Sequence, residues 1–90
     1  MDLKDKVAVI TGGASGLGRA TLRRFVANGG KAAIFDMNEE KGNQLVAEYP
    51  GMVIFCNVNV TSEESVAAGI AATIEEFGAI HICCNFAGTG

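Results

Sequence analysis

The sequence has no tryptophan, a single proline and a single histidine, and its 7 basic residues are outnumbered by 10 acidic ones. The net charge of −3 leaves no basic stripe to neutralise phosphates. That argues against nucleic acid as a partner and against an anionic membrane surface. No apolar run is long enough to span a bilayer. No linker, repeat or low-complexity tract interrupts the chain, and Met1-Asp2-Leu3-Lys4-Asp5-Lys6 leads straight into a short apolar run without a signal-peptide pattern. The cysteines Cys56, Cys83 and Cys84 form no CxxC pair and no second cluster with metal spacing, so no metal site is expected. They are expected as buried small hydrophobes in a reducing compartment. The chain thus reads as soluble and intracellular, cytoplasmic in the first instance, with the mitochondrial matrix as an alternative.

What is present is a regular alternation. Residues 1–90 make one small domain, 49% apolar and 19% charged, which is a globular balance. A domain of this size buries only roughly 60–65% of the surface its unfolded chain exposes. Val7-Ala8-Val9-Ile10 is a continuous apolar run, as expected of a strand covered on both faces. The glycine-rich stretch Thr11 to Gly18 follows, then Leu22, Phe25 and Val26 at helical spacing, closed by Asn28-Gly29-Gly30. Lys31 to Asp36 reads as a second strand, and Asn38 as the cap of a helix from Glu39 that carries Leu45 and Val46 inward. Pro50-Gly51 is a turn, and Met52 to Cys56 a third strand. Thr61-Ser62-Glu63-Glu64 supplies a cap and first-turn acids for a helix whose inner face is expected to be Val66, Ile70, Ile74 and Phe77. Gly78 stops it, and Ala79 to Phe86 is the expected fourth strand.

The order β-α-β-α-β-α-β predicts an α/β, Rossmann-type doubly wound parallel sheet with strand order 3-2-1-4, incomplete because further strands are expected beyond it. Ligands in such sheets bind at the carboxyl ends of the strands, beside the point where the order reverses. Those ends carry Thr11-Gly12, Asp36, Asn57-Val58-Asn59 and Asn85. Polar and glycine residues therefore gather on one rim.

The loop Thr11-Gly12-Gly13-Ala14-Ser15-Gly16-Leu17-Gly18 leaves a strand and opens a helix. Gly12 permits the sharp turn, Gly16 lets the main chain approach a diphosphate, and Gly18 allows close packing of the helix. A glycine loop can also be no more than a tight connection. Asp36 sharpens the reading, because it follows Gly16 by the roughly 20 residues that separate such a loop from a ribose-binding carboxylate. The alternative for Asp36 is an exposed strand end or helix cap. No arginine or lysine stands at Met37, Gly13, Ala14 or Ser15, so NAD is expected over NADP.

Written TGxxxGxG, this loop resembles that of the short-chain dehydrogenases/reductases. Tested from Gly16 against GxGxxG, the chain fails at the sixth place, where Thr21 stands. Asn85-Phe86-Ala87-Gly88 looks like the NxAG motif of that family, and Asn59-Val60-Thr61 is similar to its Asp-Val-Thr. Among subfamilies, TGGASGLG with Phe35-Asp36-Met37 and Val60-Thr61-Ser62-Glu63 looks most like the type-2 3-hydroxyacyl-CoA dehydrogenases. The resemblance implies an NAD-dependent oxidoreductase moving hydride between the nicotinamide and an alcohol or ketone, with residues 1–90 as its cofactor-binding half. It implies that Gly12, Ser15, Gly16, Leu17 and Gly18 hold the phosphates and neighbouring ribose, and that Asp36, beside Met37, holds the adenosine ribose. Asn59 and Val60 would flank the adenine, while Asn85, Phe86, Ala87 and Gly88 would lie along the nicotinamide side.

Two positions depart from the family pattern. Asn59 stands where an aspartate is usual, which predicts altered adenine contact, and the ring of Phe86 stands where a small or polar residue is usual. The family's catalytic Ser, Asn and Tyr-x-x-x-Lys lie past the NxAG motif, so no catalytic residue is assigned here. Tyr49, the single tyrosine, precedes Pro50 and has no lysine four residues on, and it reads as structural. His81 reads as a satisfied or exposed polar residue. The chain alone is therefore expected to be inactive and prone to associate through its open edge. The alanines Ala67, Ala68, Ala71 and Ala72 suggest that the 62–77 helix forms a homo-oligomer interface in the intact protein. Rival readings are a stand-alone truncated nucleotide-binding module without catalysis, or another Rossmann enzyme such as a methyltransferase.

Overall fold

The computed structural model describes residues 3–86. Its elements run β1 (Val7–Thr11), α1 (Gly16–Ala27), β2 (Lys31–Asp36), α2 (Glu39–Glu48), β3 (Val53–Asn57), α3 (Glu63–Phe77) and β4 (Ile82–Asn85). The four strands form one sheet in the order β3-β2-β1-β4, and every pairing is parallel. This is the expected topology. Parallel pairing puts the carboxyl ends of all four strands on one rim, where Thr11 is level with Phe35 and Asn85, and Asp36 with Asn57.

The apolar runs explain which strands are central. β1 and β2 are buried along nearly their whole length, because successive side chains point to opposite faces and both faces are covered. On one face Ala8 and Ile10 of β1 and Ala32 and Ile34 of β2 pack with Leu22 and Phe25 of α1 and Leu45 of α2. On the other, Val9, Ala33, Phe35 and Val58 form a smaller cluster flanked by Val66 of α3. The cap of α2 is as expected, with Asn38 Oδ1 accepting from the Lys41 N–H at 3.1 Å. For α3 the capping residue is Ser62, whose Oγ accepts from the Ser65 N–H at 3.2 Å.

Two expectations are corrected. Of the expected inner row Val66, Ile70, Ile74 and Phe77, Val66 packs against the smaller cluster but Ile70 and Ile74 are exposed, and the buried residues of α3 are Gly69 and Thr73. A side chain on Gly69 would come within 3.0 Å of both Val58 and Phe35, so the helix approaches the sheet at its smallest residue and turns its isoleucines outward. Thr73 tolerates full burial because its hydroxyl donates to the Gly69 carbonyl one turn back, at 2.8 Å. The fourth strand is also shorter than Ala79 to Phe86. The His81 ring takes over the pairing before it, with Nδ1 accepting from the Val7 N–H at 3.0 Å while the His81 N–H donates to the Val7 carbonyl at 2.8 Å. The third strand lies one residue later than expected, at Val53–Asn57.

The cysteines are all free thiols and none is buried as expected: Cys83 is exposed, and Cys56 and Cys84 are half-buried. Cys83 lies on edge strand β4, level with Val9 of β1. Burial raises the Cys56 thiol pKa, opposed by a hydrogen bond with Thr73, and burial with Cys83 alongside raises that of Cys84. Tyr49 packs against the larger apolar cluster, and its hydroxyl accepts from Arg23 Nη1 at 3.5 Å. That is a packing position.

Candidate functional site

The site begins where β1 runs out. Gly12 turns the chain with φ at +70°, a left-handed conformation that a side chain strains, while its N–H stays bonded to the Phe35 carbonyl at 2.8 Å. The turn then closes on the Gly12 carbonyl, which accepts from the Ser15 N–H at 3.1 Å and from Ser15 Oγ at 2.7 Å. A Cβ on Gly18 would stand 2.2 Å from that same carbonyl oxygen. The third glycine of the motif is thus required by the loop folding back on the helix, more than by contact of the helix with the strands. At Gly16 the reverse holds: a Cβ would meet nothing within 4 Å. Its absence of a side chain leaves open space above the helix start.

The start of α1 differs from those of α2 and α3. Ser15 occupies the capping position but makes no side-chain cap, and the first turn holds no acidic residue. In α2 and α3 a side chain caps the helix, and two glutamates, Glu39 and Glu40 or Glu63 and Glu64, occupy the first turn. The first amides of a helix have no partner within it and carry the positive end of its dipole. At α1 those amides are left for an anion from outside.

Asp36 closes the other side. One of its carboxylate oxygens accepts from the Ala14 N–H of the glycine loop at 3.2 Å, and the other from the Asn38 N–H at 3.0 Å. Each oxygen keeps a lone pair for a further donor, such as a hydroxyl of a vicinal diol. The main chain continues this rim, since the Val58 N–H donates to the Asp36 carbonyl at 3.1 Å and brings Asn59 and Val60 beside it. On the β4 side, Thr11 Oγ1 donates to Asn85 Oδ1 at 2.5 Å, and the Phe86 N–H donates to the Thr11 carbonyl at 2.9 Å. The Phe86 ring lies against the larger apolar cluster. Ala87 and Gly88 lie outside the described residues.

The fold therefore gathers Gly12, Ser15, Gly16, Leu17, Gly18, Asp36, Met37, Asn59, Val60, Asn85 and Phe86 on one end of the sheet. Leu17, Met37 and Val60 are 66%, 65% and 45% exposed there. Large apolar side chains left bare around a polar rim are a mark of a binding surface. Sequence reasoning placed Thr11 on the rim and in the loop but gave it no role of its own. It left out a cleft of about 90 Å³ beyond Ala14, lined by Arg19, Arg23, Lys41, Gln44, Leu45 and Glu48. These residues are scattered over two helices, and no local spacing links them. Arg23 there is bound to Glu48 at 3.1 Å.

The family model of short chain dehydrogenases matches residues 6–90. The chain belongs to the short-chain dehydrogenase family. It is 40% identical over 87 residues to the 3-hydroxyacyl-CoA dehydrogenase type-2 of Drosophila melanogaster, covering 97% of this chain and 34% of that protein. It is 45% identical over 89 residues to a 2,5-dichloro-2,5-cyclohexadiene-1,4-diol dehydrogenase of Sphingobium indicum, covering 96% and 36%. Among solved structures, a 3-ketoacyl-(acyl-carrier-protein) reductase of Brucella melitensis complexed with NADH superposes with a TM-score of 0.88 at 29% identity, over 91% of this chain and 34% of that one. The short-chain dehydrogenase chain thus spans about a third of the length of these relatives. The subfamily resemblance read from the motifs is matched by a type-2 3-hydroxyacyl-CoA dehydrogenase among them.

Proposed function

We infer that this chain holds NAD(H) for an oxidoreductase that transfers hydride between the nicotinamide and an alcohol or ketone. The observation that carries the reading is the Asp36 carboxylate, tied at 3.2 Å to the Ala14 N–H of a glycine loop that opens an uncapped helix. The residues suit the group. The first amides of α1, with open space at Gly16 and the exposed Ser15 hydroxyl, accept a diphosphate. Asp36 accepts a ribose diol, and its charge repels a 2′-phosphate. Asn59 and Val60 lie beside the adenine, and Asn85, Phe86, Ala87 and Gly88 serve the nicotinamide side. NAD(H), when bound, supplies the hydride acceptor or donor. None of the residues reads as the catalytic Ser, Asn, Tyr or Lys of the family, so the 90-residue chain binds the cofactor and transfers no hydride by itself. The exposed Ile70 and Ile74, with the alanines of α3, form the face through which the intact protein assembles as a homo-oligomer. A cytoplasmic setting suits the free thiols.

Thermal unfolding with added ligand tests this. NADH is expected to raise the midpoint and S-adenosylmethionine to leave it unchanged, and Asp36→Ala is expected to weaken NADH binding by about 10- to 100-fold, the scale of a hydrogen bond to a charged group. Stabilisation by S-adenosylmethionine alone would point to a methyltransferase. A second reading, use of NADP, draws on Arg19 and Lys41, which line the cleft beyond Ala14. Tighter binding of NADPH than of NADH would establish it.

A further inference from the structure

The one asparagine of the chain that is followed by glycine, Asn28-Gly29, lies at the end of α1 remote from the rim. Asn28 is exposed and closes the helix, with Nδ2 donating to the Arg24 carbonyl at 2.7 Å. Its carbonyl accepts from the Leu3 N–H at 2.8 Å, so the same residue ties the N-terminal arm to the helix. Gly29 turns with φ at +94°, and a Cβ there would stand 3.3 Å from the main chain of Lys4. The fold thus requires glycine after Asn28. Glycine is also the neighbour that shields an asparagine amide least from attack by the next main-chain nitrogen, because it has no Cβ.

We propose that Asn28 is a site of spontaneous deamidation, shut in the folded chain and entered when the last turn of α1 opens, and that the product loosens that turn. In the reaction the Gly29 nitrogen gives its proton to solvent and bonds to Asn28 Cγ, and the Cγ–Nδ2 bond breaks to release ammonia. One water then opens the five-membered imide, at Cγ to leave aspartate or at the main-chain carbonyl carbon to leave isoaspartate. Folding holds the reacting atoms apart. With ψ at 13°, the Gly29 nitrogen is turned away from the Asn28 Cβ, and its N–H donates to the Val26 carbonyl at 2.9 Å. The amide that would leave is itself held on Arg24. Neither product restores this closure. Aspartate lacks the Nδ2 donor and brings a negative charge to the negative end of the helix. Isoaspartate lengthens the main chain by one carbon and displaces the Gly29 and Gly30 N–H groups from the Val26 and Phe25 carbonyls.

The test incubates the 90-residue chain at mildly alkaline pH, folded in buffer and unfolded in urea, and follows each asparagine by mass spectrometry of its peptides. Asn28 is expected to convert before the other asparagines in both states, and about tenfold or more slowly when folded, because the turn must first open. Asn28→Asp, which reproduces one product, is expected to lower the midpoint of thermal unfolding by about 4–8 °C, the scale of one helix-end interaction in a domain of this size. Equal rates in the folded and unfolded chain overturn the proposal. So does another asparagine converting first, or an Asn28→Asp chain as stable as the unsubstituted one. None of these outcomes bears on the cofactor reading, since this end of α1 lies away from the rim.

Discussion

The three helices among the described residues start at or just past the same rim of the sheet, and two of them are finished in a way the third is not. α2 and α3 each receive a side-chain cap and two glutamates, so their amides and dipoles are answered within the chain. α1 receives neither, and its capping-position hydroxyl is turned back onto the loop to hold Gly12. The difference separates helix ends answered within the chain from one whose amides are left open. It also separates two uses of glycine within eight residues of one loop. Gly18 is small because the chain itself fills the space, and Gly16 is small although nothing in the chain fills it.

The sharpest way to break that contrast is Gly18→Ala. Its methyl group would collide with the Gly12 carbonyl, a main-chain atom that cannot swing away. A loss of about 3 kcal/mol or more in stability, at the upper end for overpacking, is expected in denaturant titration, together with loss of NADH binding. Gly16→Ala should part the two properties. The free chain keeps or slightly gains stability, since alanine is the better helix former by about 1 kcal/mol, whereas NADH affinity falls about tenfold or more, or roughly 1.4 kcal/mol. Unchanged affinity would show that the open space at Gly16 is not where the diphosphate lies. Removing a cap from a finished helix, by Ser62→Ala, is expected to cost about 1 kcal/mol in thermal unfolding and to leave NADH affinity as it was. Ser15→Ala should do the opposite on the smallest scale: stability stays within about 0.5 kcal/mol, as for a surface change, and affinity drops a few-fold.

The features legible in advance were local ones. The caps at Asn38 and Ser62, the left-handed turn at Gly12 and the interval from Gly16 to Asp36 are written in short stretches, and each is in place. The strand order followed from the alternation of elements, because parallel strands need crossovers and a doubly wound sheet reverses beside its first strand. What escaped depended on partners distant in sequence. The inner face of α3 was assigned by the size of its apolar residues, but the helix sits where Phe35 and Val58 leave room only for Gly69. The shortened β4 depends on the His81 ring meeting the Val7 amide, a pairing across 74 positions. The exposure of Cys83 reflects the position of β4 at the edge of the sheet, where an apolar-looking run lacks a second neighbour.

The two amides that grip Asp36, one from the loop and one from the approach to α2, fix its carboxylate from opposite sides before any sugar arrives. A side chain already confined has little rotational freedom left to surrender on association. On the function proposed above, the ribose meets a rigid receptor rather than one that must be assembled around it. Lengthening the residue to glutamate would keep the charge but disturb this clamp, and the loss would fall mainly on the entropy of binding.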